Sequence, residues 1–396
     1  MTMPEQKKAV VPRLRFPEFR DAGPWEYRKL ERHLEPYNER VPASGCNLPI
    51  YTSSRDGLIS QKDYFDGREL INEGEYGVVP PGYFVYRHMS DDATFKFNLN
   101  NTGGSIAVSK EYPVFTTHAV VDLFLLFLLN EGEHFKRFAA TQRKGGTRTR
   151  LYFATLCSCS LPMPSIPEQQ KIADCLSSLD ELIELQAKQL EALQAHKQGL
   201  MQQLFPREGE TTPRLRFPEF RDAGPWEVKR LGELLDYERP DKYIVESDNY
   251  EPQGIPVLTA NKSFVLGYTS EQNGIYEDLP AIIFDDFTTD KKFVDFPFKV
   301  KSSAIKILKP KGENVIRFVF ELMNLIQFDP GQHKRYYISE YQHISVLVPN
   351  TAEQQKIADC LSSLDELIEL QAKQLEALKA HKKGLMQQLF PQGIDL

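Results

Sequence analysis

Two long stretches of the chain, residues 168–206 and 353–391, carry apolar residues at alternating steps of four and three. This spacing aligns the apolar side chains along one stripe of an α-helix, a pattern typical of a helix that pairs lengthwise with another helix. Proline ends each stretch, and a helix of about 36–40 residues extends roughly 55–60 Å. The predicted seam positions, eight in ten of them apolar, are Ile172, Leu176, Leu179, Ile183, Gln186, Leu190, Leu193, Lys197, Leu200 and Leu204 in the first copy and Ile357, Leu361, Leu364, Ile368, Gln371, Leu375, Leu378, Lys382, Leu385 and Leu389 in the second.

We expect the two helices to pair with each other, because so long a seam with a polar opposite face needs a long partner. The alternative is a helix buried within the core of a single domain. Gln186 and Gln371 interrupt the seam near its middle. A polar residue there either fixes the register or is tolerated at a wet seam, and the sequence leaves both interpretations open.

The chain is an internal repeat. The two helical stretches are identical at all but two of their 39 positions, and the segment PRLRFPEFRDAGPWE occupies residues 12–26 and again 213–227. We call each copy of this shorter repeat, 12–26 and 213–227, a leading segment. The regions between the repeats have diverged, so one fold carrying two different surfaces is expected. The predicted boundaries are a first globular domain at 1–166, a first helix at 167–206, a second globular domain at 207–352, and a second helix with a tail at 353–396.

The divergent regions mix strand-like and helix-like patterns. Runs rich in β-branched and aromatic residues predict strands within 76–87, 281–300 and 303–308. The apolar runs at 119–129 and 315–326 predict helices. An α+β fold with an antiparallel or mixed sheet fits each region.

The composition excludes several classes of protein. The 396 residues are 41% hydrophobic and 26% charged, which is ordinary for a globular protein of two or three domains. No run approaches the ~18 consecutive apolar residues of a membrane helix, and the first residues lack the apolar core of a secretory signal. Five cysteines, an odd number, give no disulfide framework, and Cys157 and Cys159 have no second pair at zinc-like spacing. We therefore expect a cytoplasmic protein without a membrane partner.

Charge is distributed unevenly along the chain. The net charge of −7 argues mildly against a nucleic-acid partner. A binding surface is a local patch, however, so the local charge has to be considered as well. Residues 134–150 hold six basic side chains and no acidic one, and residues 291–317 hold eight basic side chains against two acidic ones. Such runs suit phosphate contacts, while a solvated surface is the competing interpretation. The residues alone leave both open.

Motifs for catalysis are missing from the sequence. There is no phosphate-binding loop, no Gly-x-Gly-x-x-Gly after a strand, and no Asn/Asp-Pro-Pro-Tyr/Phe stretch for a target amine. The cluster of Asp285, Asp286 and Asp290 could bind Mg²⁺. Nothing in the other half matches that cluster, so these aspartates are interpreted as turn residues. No catalytic residue and no metal site are predicted.

Taken together, these features resemble the specificity subunit of type I restriction-modification enzymes. The resemblance rests on two divergent regions, each followed by a near-identical helix that begins EQQKIA, and it covers nearly the whole chain. It includes the runs PWEYRKL, PWEVKRLGEL, YGVVPPGYFVY, IIFDDFTTDKK and GTRTRLYFATL. The resemblance implies an α+β fold with two pseudo-twofold-related target recognition domains, joined by two long helices in an antiparallel coiled coil.

The resemblance also implies a function and a set of partners. Each recognition domain would read one half of a bipartite double-stranded DNA target, and the helices would act as a spacer that fixes the gap. The chain would be non-catalytic and bind no cofactor itself. It would recruit two adenine-N6 methyltransferase subunits, which use S-adenosylmethionine, and restriction/translocase subunits, which use ATP and Mg²⁺. Identical helices would dock identical partners.

The candidate DNA contacts are basic residues and glycines of the two divergent regions. Basic side chains reach phosphates and base edges, and glycine allows close approach of the backbone. The candidates are Arg143, Lys144, Gly145, Gly146, Arg148 and Arg150 in the first domain and Lys291, Lys292, Gly331, His333, Lys334 and Arg335 in the second.

Two competing hypotheses come from other classes. A structural adaptor would use the coiled coil to join two protein-binding domains. It would show no steep loss of DNA binding with salt, which separates it from a DNA-reading subunit. A stand-alone DNA methyltransferase or nuclease is disfavoured by the missing motifs.

Overall fold

The computed structural model describes residues 10–68, 74–143, 148–261, 263–331 and 334–391. Contacts divide the chain into two compact units. Unit 1 contains Met1–Ala187 and Gln374–Leu396, and unit 2 contains Lys188–Lys373. Each long helix therefore contributes residues to both units.

Helices occur where the apolar patterns predict them. The runs at 119–129 and 315–326 become short helices, and each seam pattern becomes one helix of 39 residues. Among the described residues, no helix combines the length and the apolar character needed to cross a bilayer. The helices are α1 (Gln61–Tyr64), α2 (Asp122–Glu131), α3 (Glu133–Thr141), α4 (Phe153–Ser158), α5 (Ile166–Leu204), α6 (Leu231–Leu234), α7 (Ile316–Leu325) and α8 (Thr351–Leu389).

Short strands form the sheets of unit 1. They are β1 (Glu26–Lys29), β2 (Leu34–Tyr37), β3 (Arg40–Pro42), β4 (Tyr51–Ser54), β5 (Gly57–Ser60), β6 (Glu75–Val79), β7 (Phe84–Tyr86), β8 (Met89–Ser90), β9 (Phe97–Leu99), β10 (Ile106–Ser109), β11 (Val114–Thr117), β12 (Thr149–Arg150) and β13 (Ser160–Met163). The central sheet has the order β2-β11-β7-β9 and is antiparallel. A second sheet has the order β10-β6-β3, and β4 and β5 form a hairpin.

Unit 2 repeats this central arrangement. Its strands are β14 (Glu227–Arg230), β15 (Leu235–Glu238), β16 (Ile255–Leu258), β17 (Val265–Thr269), β18 (Ala281–Asp285), β19 (Lys291–Val294), β20 (Lys299–Val300), β21 (Ile305–Pro310) and β22 (Ser345–Val348). The sheet β15-β21-β18-β19 corresponds strand for strand to β2-β11-β7-β9, so β18 takes the place of β7. The other sheet, β17-β16-β20, is mixed, because β16 and β20 run parallel. One antiparallel sheet order therefore underlies both divergent sequences.

Aromatic side chains from the repeated segments close the core of unit 1. Trp25 from the leading segment lies 5.9 Å from Phe124 of α2 and 6.4 Å from Phe390, which follows α8, both edge to face. Edge-to-face pairs of this kind add about 0.5–1.5 kcal/mol beyond the area they bury.

Unit 2 is closed in the same way, by Trp226, Phe318 of α7 and Phe205 after α5. In each unit, a phenylalanine of the divergent region, Phe124 or Phe318, contacts both the tryptophan of the leading segment and the phenylalanine that follows a long helix.

The paired segments of the long helices run antiparallel within each unit. In unit 1, Leu389 joins Ile172 and Leu176 in the core, and Lys382 pairs with Asp180. The numbers rise along one helix as they fall along the other, which defines the antiparallel direction. In unit 2, Leu204 joins Ile357 and Leu361 in the same way, and Lys197 lies 2.7 Å from Asp365. Every seam position named above is buried or half-buried.

Candidate nucleic-acid interface

A short run with basic residues lies ahead of each long helix, at 148–151 in unit 1 and 334–336 in unit 2, and we call it the basic segment. It contacts the end of an inner strand of its own sheet, β7 or β18. In unit 1, Leu151 donates its backbone N–H to the carbonyl of His88, just after β7, at 2.8 Å. In unit 2, Tyr336 donates to the carbonyl of Asp286, just after β18, also at 2.8 Å. Because β7 and β18 correspond, both units place the basic segment at the same point of the fold.

A tight turn lies near this point in each unit, after β8 in unit 1 and after β18 in unit 2. Ala93 and Thr289 sit in these turns with φ of 62° and 61°, a left-handed conformation that side chains other than glycine rarely adopt. Such strain persists only where surrounding contacts hold it, and it is concentrated at functional sites. Each basic segment therefore lies close to a turn with an unusual backbone conformation.

Four basic side chains line one cavity of about 410 Å³ in unit 1. They come from the β4–β5 hairpin, the end of β7, the start of β9 and the basic segment, and they are Arg55, Arg87, Lys96 and Arg148. Sequence reasoning identified only Arg148. The other three have no basic run around them, so local charge density could not reveal them. Each of them lies just outside a strand, and that position is only a weak signal in the sequence.

Two of these arginines are held by carboxylates of the turn. Arg55 Nη2 lies 2.8 Å from Asp92 Oδ2, and Arg148 Nε lies 3.1 Å from Asp91 Oδ1. Hydrogen bonds from Thr94 and Ser90 hold the pKa of Asp92 well below its usual range. Asp92 therefore stays ionised and keeps a fixed position beside Arg55.

The corresponding surface of unit 2 uses aromatic rings. The guanidinium of Arg335 lies 5.7 Å from the centre of the Phe287 ring and is exposed. Lys334 lies 5.3 Å from the Tyr336 ring and pairs with Glu340. An arginine stacked on an aromatic face keeps its donors free for a partner.

The two lysines predicted on β19 lie in a different environment. Lys291 pairs with the buried Phe284 in the strand register and is half-buried, with its Nζ 6.0 Å from the centre of the Tyr341 ring. Burial lowers the pKa of Lys291. Lys292 is half-buried on the opposite face of the strand. Because Lys292 pairs with the buried Ile283, both lysines stand beside buried residues of β18 and are only partly accessible to a nucleic acid.

The remaining predicted contacts do not join the cavity of unit 1. Arg143 is exposed after α3, Arg150 is exposed on β12, and Gly331 is exposed in a loop of unit 2. Lys144, Gly145, Gly146 and His333 lie outside the described residues.

The aspartates after β18 have structural roles. Asp285 accepts hydrogen bonds from the backbone N–H groups of Phe287 and Thr288, each at 2.9 Å. The buried Asp286 accepts one from Tyr337 at 2.8 Å and lies 3.3 Å from Lys306 Nζ. This agrees with their interpretation as turn residues. The part of the chain that the structure describes contains no group of histidine, cysteine or acidic residues arranged to hold a metal ion.

Comparison with known proteins gives a consistent family. The model of the type I restriction modification DNA specificity domain matches residues 96–195 and 224–380. The EcoR124I/EcoR124II specificity subunit of Escherichia coli is 40% identical over 164 residues, which cover 39% of this chain and 41% of that subunit. The type I restriction enzyme MjaVIII specificity subunit of Methanocaldococcus jannaschii is 25% identical over 301 residues, covering 68% of this chain and 69% of that one.

A solved structure shares the fold. The S subunit of a type I restriction-modification system from M. genitalium matches with a TM-score of 0.67 at 14% identity, over 97% of this chain and 100% of that chain. This likeness confirms the predicted α+β fold with long helices. The family match spans more than half of the chain and confirms the prediction of a non-catalytic subunit concerned with DNA sequence specificity. The chain therefore belongs to the family of type I restriction-modification DNA specificity subunits.

Proposed function

We propose that each unit reads one half of a bipartite double-stranded DNA target. The observation that carries this proposal is the shared placement of a basic segment at the end of an inner strand. Leu151 and His88 make the contact in unit 1, and Tyr336 and Asp286 make it in unit 2. The side chains at that place differ between the units, as expected for two readers of different sequences. Basic and stacked side chains of this kind suit contacts with phosphates and base edges.

The helices have two proposed roles. They set the gap between the half-sites, and their repeated surfaces each bind one adenine-N6 methyltransferase subunit that uses S-adenosylmethionine. Leu185 and Leu370 occupy equivalent positions on the two helices and are 60% and 54% exposed. Leu182 and Leu367, one turn earlier on each helix, are also exposed, at 39% and 51%. A contiguous exposed apolar patch of this kind suits burial by a protein partner. Restriction/translocase subunits that use ATP and Mg²⁺ would join the same complex.

A genome-wide map of N6-methyladenine tests the central proposal, in a host that carries this chain with active partner subunits and in a host that lacks the chain. The expected result is a bipartite motif with a fixed gap that is lost when the chain is absent. Exchange of residues 228–352 for those of another specificity subunit should change one half of the motif only. An unchanged map would contradict DNA specificity, and binding to duplex DNA without a steep salt dependence would favour the structural adaptor.

The spacer role has its own test. Removal of four residues from each long helix, in matched positions of the antiparallel seam, shortens each helix by about 6 Å. The gap in the methylated motif should then become shorter while both half-sites keep their sequence. A motif with its original gap would refute the spacer role and leave half-site reading untouched.

A further inference from the structure

We propose that Arg148 and Arg55 read guanine bases in the half-site of unit 1, while Arg87 and Lys96 contact phosphates. This inference rests on the proposed function and assigns separate tasks to the four basic side chains of one cavity. The division follows from which of them are held in place.

Arg148 is oriented with its terminal nitrogens available. Its Nε donates to Asp91 Oδ1, and among the described residues neither Nη1 nor Nη2 has a hydrogen-bond acceptor. Those two nitrogens form a planar fork that matches the O6 and N7 acceptors of guanine in the major groove. Asp91 therefore fixes the fork without occupying it.

Arg55 is held from a turn that is itself fixed. Asp92 accepts hydrogen bonds from Ser90 Oγ at 2.7 Å and from the Thr94 backbone N–H at 3.0 Å, and it pairs with Arg55 through its other oxygen. A long side chain that is ordered before binding loses less rotamer entropy on binding. Such ordering favours selection of one base over another.

Arg87 and Lys96 line the same cavity, yet no carboxylate holds either of them within the described parts of the chain. Arg87 is exposed and Lys96 is half-buried. A mobile cation gains from any nearby phosphate, whatever the base sequence. These two side chains therefore suit general attraction to the DNA backbone.

The ion pairs are poor candidates for a purely structural role. The side chains of Arg148 and Arg55 are 55% and 68% exposed, and exposed ion pairs stabilise a fold little. Their replacement should leave the protein folded, so binding experiments on variants can be interpreted directly.

The test selects binding sites from duplex oligonucleotides randomised in both half-sites, with the full chain in complex with its methyltransferase subunits. The wild-type motif should contain guanine in the half-site of unit 1. Arg148→Ala should remove the guanine preference at one position and lower affinity for the wild-type motif roughly tenfold to a hundredfold. Arg148→Lys should retain the salt dependence but lose the same preference, because lysine lacks the fork. Arg55→Ala should act at a different position.

Arg87→Ala is the matched control from the same cavity. It should weaken binding to the motif and to unrelated DNA by similar factors. The slope of the logarithm of the binding constant against the logarithm of the salt concentration should become smaller by about 1. Asp91→Asn should weaken binding to the motif without changing the preferred base, since Arg148 remains but is less ordered.

The possible results distinguish a failure of the base-reading roles of Arg148 and Arg55 from a failure of the proposed function itself. A wild-type complex that selects no sequence would overturn both. A selective wild type whose motif keeps every guanine in Arg148→Ala and Arg55→Ala would overturn only the assignment of readers. The half-site of unit 2 is the one that changes when residues 228–352 are exchanged. Loss of base preference in that half-site would overturn the assignment of these arginines to the half-site of unit 1.

Discussion

Arg15 donates two hydrogen bonds to Glu168, from Nε to Oε1 and from Nη2 to Oε2, each 2.7 Å long. Arg216 and Glu353 repeat this contact in unit 2 with the same distances. Each pair joins the leading segment to the start of a long helix inside one unit. In both units the leading segment therefore contacts the start of its long helix through the same pair of repeated residues.

Loss of Arg15 should strongly destabilise unit 1. The side chain of Glu168 is only 1% exposed, so Arg15→Ala leaves a buried carboxylate without its counter-charge. We expect the free energy of unfolding to fall by about 3–5 kcal/mol. Urea unfolding with hydrogen exchange of the α5 start would measure it. Lys171→Ala at the same junction is the control, since its pair with Glu18 is exposed and should contribute at most about 1 kcal/mol.

Equivalent lysines on the two helices should differ in their contribution to stability. Lys197 lies 3.4 Å from the buried Glu321 and 2.7 Å from Asp365, whereas Lys382 pairs with the half-exposed Asp180 and lies 5.0 Å from the Phe127 ring. Lys197→Met should cost about 2–3 kcal/mol, near the lower end for a broken buried pair because Arg317 still neutralises Glu321. Lys382→Met should cost about 1 kcal/mol or less.

The chain offers a direct readout for this comparison. It contains two tryptophans, one in each unit, and both are buried. Fluorescence of Trp226 in a Trp25→Phe background would report unit 2, and the reverse background would report unit 1. Equal losses for the two lysine variants would show that the buried carboxylate does not matter.

His134 should make the stability of unit 1 depend on pH near neutrality. Burial and the nearby Arg137 lower the pKa of His134 below 6.5, with a smaller opposing effect from Glu133. The unfolded chain therefore binds the proton more tightly than the folded one. Stability should fall as pH decreases through about 6.5 towards the folded pKa, and the loss is complete below that pKa.

His134→Phe removes this group and keeps an aromatic ring beside Tyr27, which lies edge to face with His134 at 5.8 Å. The variant should gain stability relative to the wild type as the pH falls from 8 to 5 (a range about 1.5 units either side of an ordinary histidine pKa of about 6.5). Unfolding curves at several pH values would show it. Parallel pH profiles for the two proteins would rule out His134 as the cause.

The exposed leucines should bind partner subunits rather than stabilise the fold. Leu185→Glu and Leu370→Glu should each change the free energy of unfolding by about 0.5 kcal/mol or less, because both side chains are exposed. Each single variant should lose one methyltransferase subunit and the double variant both, as measured by native mass spectrometry. Gln198→Lys is the control, since the second helix already carries lysine at that position. Full occupancy in the double variant would place the docking surface elsewhere.

Much of the fold was predictable because it follows from local periodicity. The steps of four and three located both long helices, and the runs around Phe124 and Phe318 predicted α2 and α7. A helix face is set by residues three and four apart, which the sequence displays directly. The basic residues of both segments were visible as well, and Arg148, Arg150, Lys334 and Arg335 were among the predicted contacts.

The assembly of the candidate site was not predictable in this way. Arg55, Arg87 and Lys96 meet Arg148 only because β7, β9, the β4–β5 hairpin and the basic segment converge. The pairing of strands that are far apart in the chain determines which of these side chains become neighbours. No local sequence pattern predicts that pairing. The same strand pairing places Lys291 and Lys292 opposite the buried Phe284 and Ile283. Both lysines are therefore half-buried, although their sequence neighbourhood is as basic as that of an exposed run.

By itself, the sequence determined the repeat, the two helices with their seams, and the family, since each depends on spacing or identity along the chain. The tertiary structure alone decided which residues became neighbours. Two nearly identical helices place Lys197 against a buried carboxylate and Lys382 against a phenylalanine, because α7 and α2 supply different side chains at the point of contact. A residue's own helix fixes the direction of its side chain, and the packing partner fixes its electrostatic environment.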